Sequence, residues 1–201
     1  EKAKTLFTNI GDCFVYDSSL RILDYSELFP IYVPSDGNIS ETQIEQINRL
    51  DYIFLRGSNY INTNGQWDPI TAVLEKTKVP VIAFGIGVQV PDNSENYVNE
   101  STRRFLNLVA DRSASIGVRG NLSKKALNSI GIKNVRIFGC PTAFRHCKPE
   151  LKLRRVDAAS IKRLGFTLRR KTHGFQTQQR FMLRTLAERY DTEILCAGEL
   201  E

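Results

Sequence analysis

A chain of 201 residues, 41% hydrophobic and 25% charged, has the apolar content to enclose a core and lacks the bias of a disordered or fibrous protein. Its longest apolar run, Val79 to Val90, is interrupted by Pro80, Gly85 and Gly87, which rules out a membrane-spanning helix, and its four cysteines contain no C-x-x-C pair, which favours reduced thiols over a disulfide framework. The net charge of +6 is uneven: thirteen Lys and Arg lie between Arg145 and Arg189 against Glu150, Asp157 and Glu188, leaving the remainder slightly acidic.

In chain order, Glu1-Lys2-Ala3-Lys4 carries no initiator Met and no apolar signal region, so the chain is expected to be a cytoplasmic piece of a longer protein. Lys4–Thr8 is the first expected strand, followed by an amphipathic stretch from Asp12 to Leu23 and a short extended strand, Phe29–Val33. Ser40-Glu41-Thr42-Gln43 is a capping box opening a helix to Arg49. Asp51–Leu55 reads as a buried strand, and Asp68-Pro69 as the N-cap and first turn of the next helix. Val79–Phe84 has the continuous apolar character of a central parallel strand. A helix from Asn99 to Ala110, a strand at Ser115–Val118, a helix at Leu122–Ser129 and a strand at Val135–Phe138 follow. Six strands alternating with helices imply an α/β fold with a doubly wound, mostly parallel, Rossmann-like sheet over residues 1–145. Residues 146–160, polar, basic and carrying Pro149, read as a linker. A new unit opens at residue 161 with strand Gly165–Leu168, a helix from Thr177 to Tyr190 and strand Glu193–Cys196. One β-α-β cannot cover its own sheet, so residues 161–201 are expected to be the start of an incomplete second Rossmann-like domain.

Ligands of open α/β sheets bind beyond the carboxyl ends of the strands. Those ends are rich in Gly and small polar residues: Asn9, Gly11 and Asp12 after the first strand, Gly57, Ser58 and Asn59 after the third, and Gly85 and Gly87 after the fourth. Arg119 and Gly120 follow the fifth, and Gly139 to Thr142 the sixth. Glycine admits close approach of a ligand to the backbone, and a helix N-terminus turns N–H groups toward an anion. Gly at any one turn has a purely conformational explanation; the convergence of five such loops is the stronger signal. Arg119 has the planar fork that grips a carboxylate or phosphate, with a surface ion pair to Asp111 as the competing structural explanation. Gly85-Ile86-Gly87 lacks the third glycine and ribose-binding acid of a dinucleotide site, and no G-x-S-x-G elbow is present. His146 beside Cys147 and the isolated His173 give no metal-ligand spacing, so neither metal nor other cofactor is expected.

Taken in order, these loops resemble the polysaccharide pyruvyl transferase family. The matching segments are Asn9-Ile10-Gly11-Asp12, Val79 to Gly87, Ala110-Asp111-Arg112 and Ile116-Gly117-Val118-Arg119 with Ser123. Gly131 to Val135, Gly139-Cys140-Pro141-Thr142 and Leu164 to Arg169 complete the set. The resemblance implies a two-domain architecture similar to GT-B glycosyltransferases, and a reaction in which phosphoenolpyruvate donates a pyruvyl group to two hydroxyls of a cell-surface or exopolysaccharide sugar. It further implies that basic residues after the first strand of the second domain hold the donor; Arg169, helped by Arg170, occupies that position. Two departures stand out: Arg56-Gly57-Ser58-Asn59 replaces the family's Gly-rich turn, and Gly-Cys-Pro replaces an Asp-Pro type ending.

Phosphoenolpyruvate carries a carboxylate and a phosphate, which explains a need for several fixed cations. Ketal formation also needs an acid for the methylene carbon and a base for the sugar hydroxyl. Asp12 is the candidate acid/base or acceptor-orienting group, with helix N-capping as its competing role. Two other functions share parts of the pattern: a GT-B glycosyltransferase using a nucleotide sugar, and a non-catalytic protein whose basic segment meets an anionic membrane surface or nucleic acid. The few aromatics of that segment, Phe144, Phe166, Phe175, Phe181 and Tyr190, are needed for packing, which argues against base stacking, and no nucleic-acid partner is expected.

Overall fold

In the computed structural model, which describes residues 10–89, 97–147, 156–169 and 176–197, the central apolar run is the strand on which the sheet is organised. The chain divides into two units, Val15–Cys147 and the combination of Glu1–Phe14 with Lys148–Glu201. Through the first of these, the elements run α1 (Ile10–Ile22), α2 (Glu41–Asn48), β1 (Ile53–Leu55), β2 (Ile61–Asn62), α3 (Asp68–Lys76) and β3 (Val81–Ile86). They continue with β4 (Val88–Gln89), α4 (Glu100–Arg112), β5 (Ile116–Val118), α5 (Asn121–Ser129) and β6 (Val135–Ile137). Pro141–Phe144 forms a 3-10 turn.

Four strands make a parallel sheet in the order β1-β3-β5-β6. Each step to the next neighbour is made through one helix, α3, α4 or α5, and right-handed crossovers made in one direction lay successive helices on one face of a sheet. The core agrees: Leu74 of α3, Phe105, Leu106 and Val109 of α4, and Ala126 and Leu127 of α5 share one buried cluster with Leu55, Val81, Ala83, Ile86, Ile116, Val118 and Val135. A smaller cluster joins Ile47 of α2 to Val73 and Val79. The fold is therefore α/β with a parallel sheet, as expected. Among the described strands the winding does not reverse, and the expected first strand, Lys4–Thr8, lies outside the described residues.

Local chemistry accounts for the element boundaries and for three corrections. Ser40 accepts from the Gln43 N–H while the Gln43 side chain accepts from the Ser40 N–H, closing the expected capping box. Asn99 caps α4 through Thr102 N–H at 2.8 Å. Asp68, by contrast, is the first helical residue of α3 rather than its cap; Trp67 holds the cap position without a side-chain bond. The helix expected from Leu122 begins one residue earlier, at Asn121, so that Gly120 and not Asn121 holds the N-cap position of α5. Phe29–Val33 is extended but pairs with no strand among the described residues. Its alternation is satisfied by packing instead: Ile31 and Val33 rest on the smaller cluster while Tyr32 is 73% exposed, and Pro30 and Pro34 lack the N–H groups a ladder needs.

In the other unit, β7 (Arg163–Arg169) and β8 (Asp191–Ala197) pair in parallel over their full length, joined through α6 (Gln176–Ala187). Both strands extend the expected ones by one or two residues at each end, whereas the helix starts one residue earlier and stops at Ala187, short of the expected Tyr190. Arg163 forms ion pairs with Asp191, at 3.3 Å, and with Glu193 across the ladder, so this part of the basic segment is internally neutralised.

A second ion-pair group fastens the turn after β6. Asp17 of α1 accepts from Arg21 at 2.9 Å and from Arg145 at 3.1 Å. The hydrogen bond from Arg21, reinforced by the charges of Arg21 and Arg145, holds the Asp17 carboxyl below its ordinary value of 3.8. A carboxyl with a lowered folded pKa stabilises the fold above its unfolded pKa, and that stabilisation is lost as pH falls through the lower folded value. The stability difference between the protein and Asp17→Asn should accordingly be largest at neutral pH and shrink progressively once pH drops below about 4, measured by urea unfolding across pH.

Candidate functional site

Parallel strands bring their carboxyl ends to one edge, which gathers residues 56–59, 85–89, 119–120 and 138–142. Three local arrangements build that edge. In the first, Ala83 pairs with Ile116 but Ile86 pairs with Val118, so β3 spends one more residue than β5 over the same interval. This is a β-bulge, and Gly85 within it has φ +77°, a left-handed conformation that side chains disfavour. A Cβ on Gly85 would stand 2.6 Å from Cδ of Pro141 and 3.2 Å from Cα of Gly57. The three loops therefore meet at van der Waals contact, with Gly85 as the point where no side chain fits. The expected strand end at Phe84 is thereby moved to Ile86, and Gly85 lies inside the strand.

The second arrangement splices two loops together. Gly87 N–H donates to Ser58 C=O at 2.8 Å, and Ile61 N–H donates to Gly87 C=O at 3.1 Å, continuing into the short parallel pair of β2 and β4. Sequence reading missed this pair because strands of two residues carry no period. The far end of the loop is anchored as well. Trp67 Nε1 donates to Tyr60 C=O at 3.1 Å, Asn99 Nδ2 donates to Gly65 C=O at 2.8 Å, and Tyr60, Trp67 and Phe105 stack with centroids 5.1–5.8 Å apart.

The third is a directed hydrogen-bond relay. Arg119 Nη1 donates to Asn59 Oδ1 at 2.9 Å, and Asn59 Nδ2 donates to Gln89 Oε1 at 3.1 Å. Asn62 Nδ2 fixes the Asn59 backbone through its carbonyl at 3.0 Å. Gly87 is buried beneath the relay; a Cβ there would collide with Asn59 Oδ1 and lie 3.2 Å from Arg119 Nη1. Arg119 Nε is buried without a hydrogen-bond partner, and so is Nη1 of Arg56 at the end of β1. The alternative ion pair to Asp111 is not formed: among the described residues no carboxylate pairs with Arg119. Arg119 leads directly into α5, whose first turn has neither a side-chain cap nor an acidic residue.

Of the residues singled out from sequence, Gly57, Ser58, Asn59, Gly85, Gly87 and Arg119 converge at this edge. Thr142 lies on the exposed 3-10 turn beside the buried Pro141, its hydroxyl donating to Cys140 Sγ at 3.2 Å. Gly11 and Asp12 occupy the first turn of α1, Asp12 half-buried as its third residue. Arg169 is the last residue of β7, opposite Ala197. Asn9 and Arg170 lie outside the described residues. Gln89 is the member that sequence reasoning did not name. Among the described residues no group of three or more His, Cys, Asp or Glu side chains is arranged to hold a metal, and no helix is long and apolar enough to cross a membrane.

The family model for polysaccharide pyruvyl transferases matches residues 4–196, nearly the whole chain, and the protein belongs to that family. Neither the curated proteins nor the solved structures contain a match. Membership defines a transferase acting on a polysaccharide.

Replacing Gly85 by Ala forces a Cβ against Pro141 in a left-handed backbone. Gly85→Ala should lower the unfolding free energy by about 1–3 kcal/mol in urea melts.

Proposed function

We propose that the protein transfers a pyruvyl group from phosphoenolpyruvate to two hydroxyls of a polysaccharide sugar, forming a cyclic ketal and releasing phosphate. The family match over residues 4–196 carries this reading. The chemistry then assigns roles. Protonation of the donor's methylene carbon turns it into a methyl group and makes the adjacent carbon electrophilic. One sugar hydroxyl adds there and gives up its proton; phosphate departs, and the second hydroxyl closes the ring with loss of its own proton. The net change is donor plus diol to ketal plus phosphate, with no oxidant or cofactor required.

Both charges of the donor need cations. Arg169, at the carboxyl end of β7 where ligands of parallel sheets bind, is the proposed donor-binding residue, with Arg170 beside it. Asp12, in the first turn of α1, is proposed to handle a proton or orient the acceptor. The edge formed by Gly57, Ser58, Asn59, Gly85, Gly87, Arg119 and Thr142 is the proposed substrate-binding surface. A GT-B-like pairing of two Rossmann-like domains and a cytoplasmic location belong to the same reading.

Titration calorimetry tests it. Phosphoenolpyruvate should bind the protein, and Arg169→Ala should weaken that binding by at least about tenfold, the scale of a lost charge-assisted hydrogen bond. Unchanged affinity in the variant removes Arg169 from the donor site. Binding of a nucleotide sugar in place of phosphoenolpyruvate would assign the protein to glycosyl transfer.

A further inference from the structure

The relay has a direction, and the direction determines what its end presents. Arg119 is only ever a donor. Its bond to Asn59 Oδ1 fixes the Asn59 amide so that Nδ2 faces Gln89 and donates to Oε1. With the Gln89 oxygen turned to Asn59, its exposed carboxamide presents the Nε2 donor, which has no partner among the described residues. At the other end, Arg119 has a buried Nε without a partner and, among the described residues, no carboxylate to neutralise it. Nη1 of Arg56, on the same edge, is likewise buried and unpartnered. The unused N–H groups of Arg119, Asn59 and Gln89 are all donors, and among the described residues no carboxylate pairs with the guanidinium of Arg119 or of Arg56. Burying donors of a cation without acceptors is unfavourable, and an oxyanion bound at the partly buried guanidinium offsets that penalty through its charge.

We infer that Arg119 and Gln89, linked by Asn59 and with Arg56 on the same sheet edge, form an oxyanion subsite in the unit Val15–Cys147, distinct in sequence and element from Arg169, and that it holds an anionic group of the acceptor. The subsite itself is independent of the transfer reaction; its assignment to the acceptor rests on the reading given above. The oxyanion belongs either to a phosphate on the acceptor sugar or to a uronate carboxylate, which share this donor chemistry.

Inorganic pyrophosphate, a hexose 1-phosphate, a hexuronate and a neutral hexose are titrated into the protein, following heat and the amide resonances of Gly87, Arg119 and Gly120. Pyrophosphate should bind and shift those amides, while the neutral hexose should not. Arg119→Ala should raise the pyrophosphate Kd by about ten- to a hundredfold. Gln89→Glu, at an exposed position that preserves the bond from Asn59, replaces the outward donor by a negative charge and should raise it by about tenfold or more without altering the melting temperature. Tighter binding of the hexose 1-phosphate assigns the subsite to a phosphorylated acceptor, and tighter binding of the hexuronate to an acidic glycan. Equal pyrophosphate affinity in the protein and both variants, or equal binding of the neutral hexose, overturns the subsite. Pyrophosphate binding at these amides in a protein that does not bind phosphoenolpyruvate leaves the subsite standing and overturns pyruvyl transfer.

Discussion

The contact of Gly57, Gly85 and Pro141 is the constraint around which the ligand-facing edge is built. Parallel strands must leave their carboxyl ends by loops, and loops of ordinary residues would hold one another apart by at least a side chain. Here the bulge in β3 pushes the Gly85 backbone outward while the absence of Cβ atoms lets it touch Gly57 on one side and Pro141 on the other. With that separation set, Gly87 reaches Ser58, the β2–β4 pair forms, and Arg119 comes within hydrogen-bonding distance of Asn59. The geometry of the polar residues is thus a consequence of a packing event at residues that carry no functional group.

The arginines fall into two groups by what surrounds them. Arg21, Arg145 and Arg163 are matched to nearby carboxylates, which takes two of the thirteen basic residues between 145 and 189 out of consideration as ligand-binding charge. Exposed pairs of this kind add little stability individually and mainly fix local geometry. Arg119 and Arg56 are the reverse case: partly buried, short of acceptors, and situated where a sheet of this type receives ligands. Local count of Lys and Arg pointed to residues 145–189, whereas buried, unpartnered guanidinium nitrogens point to residues 56 and 119.

How far the sequence was legible depends on the range of the interaction responsible. Val79–Phe84, the Ser40 box and the helix beginning after Asn99 rest on periodicity and on contacts within one turn, and the structure has them. Phe29–Val33 shows the limit of periodicity: its inward and outward alternation is correct, but the absence of ladder hydrogen bonds depends on two prolines and on which neighbours are available. Asp68 and Asn121 differ by one position, because a cap is defined by backbone torsion at the boundary and not by residue type alone. For the candidate site, the glycines and Arg119 were readable from their places after strands. Gln89 was not, since its part depends on the orientation of an amide thirty residues away. The bulge at Gly85 was equally hidden, being a register mismatch between two strands.

The aromatic stack at the far end of the loop has a spectroscopic consequence. Trp67 is the chain's single tryptophan, half-buried between Tyr60 and Phe105, with its indole N–H committed to a backbone carbonyl of the loop that carries Gly57, Ser58 and Asn59. Its emission therefore comes from one environment, and energy transferred from Tyr60 feeds the same fluorophore. Any rearrangement of the loop that loosens the indole would shift that emission toward the red, so the loop carries an intrinsic optical reporter of its own state.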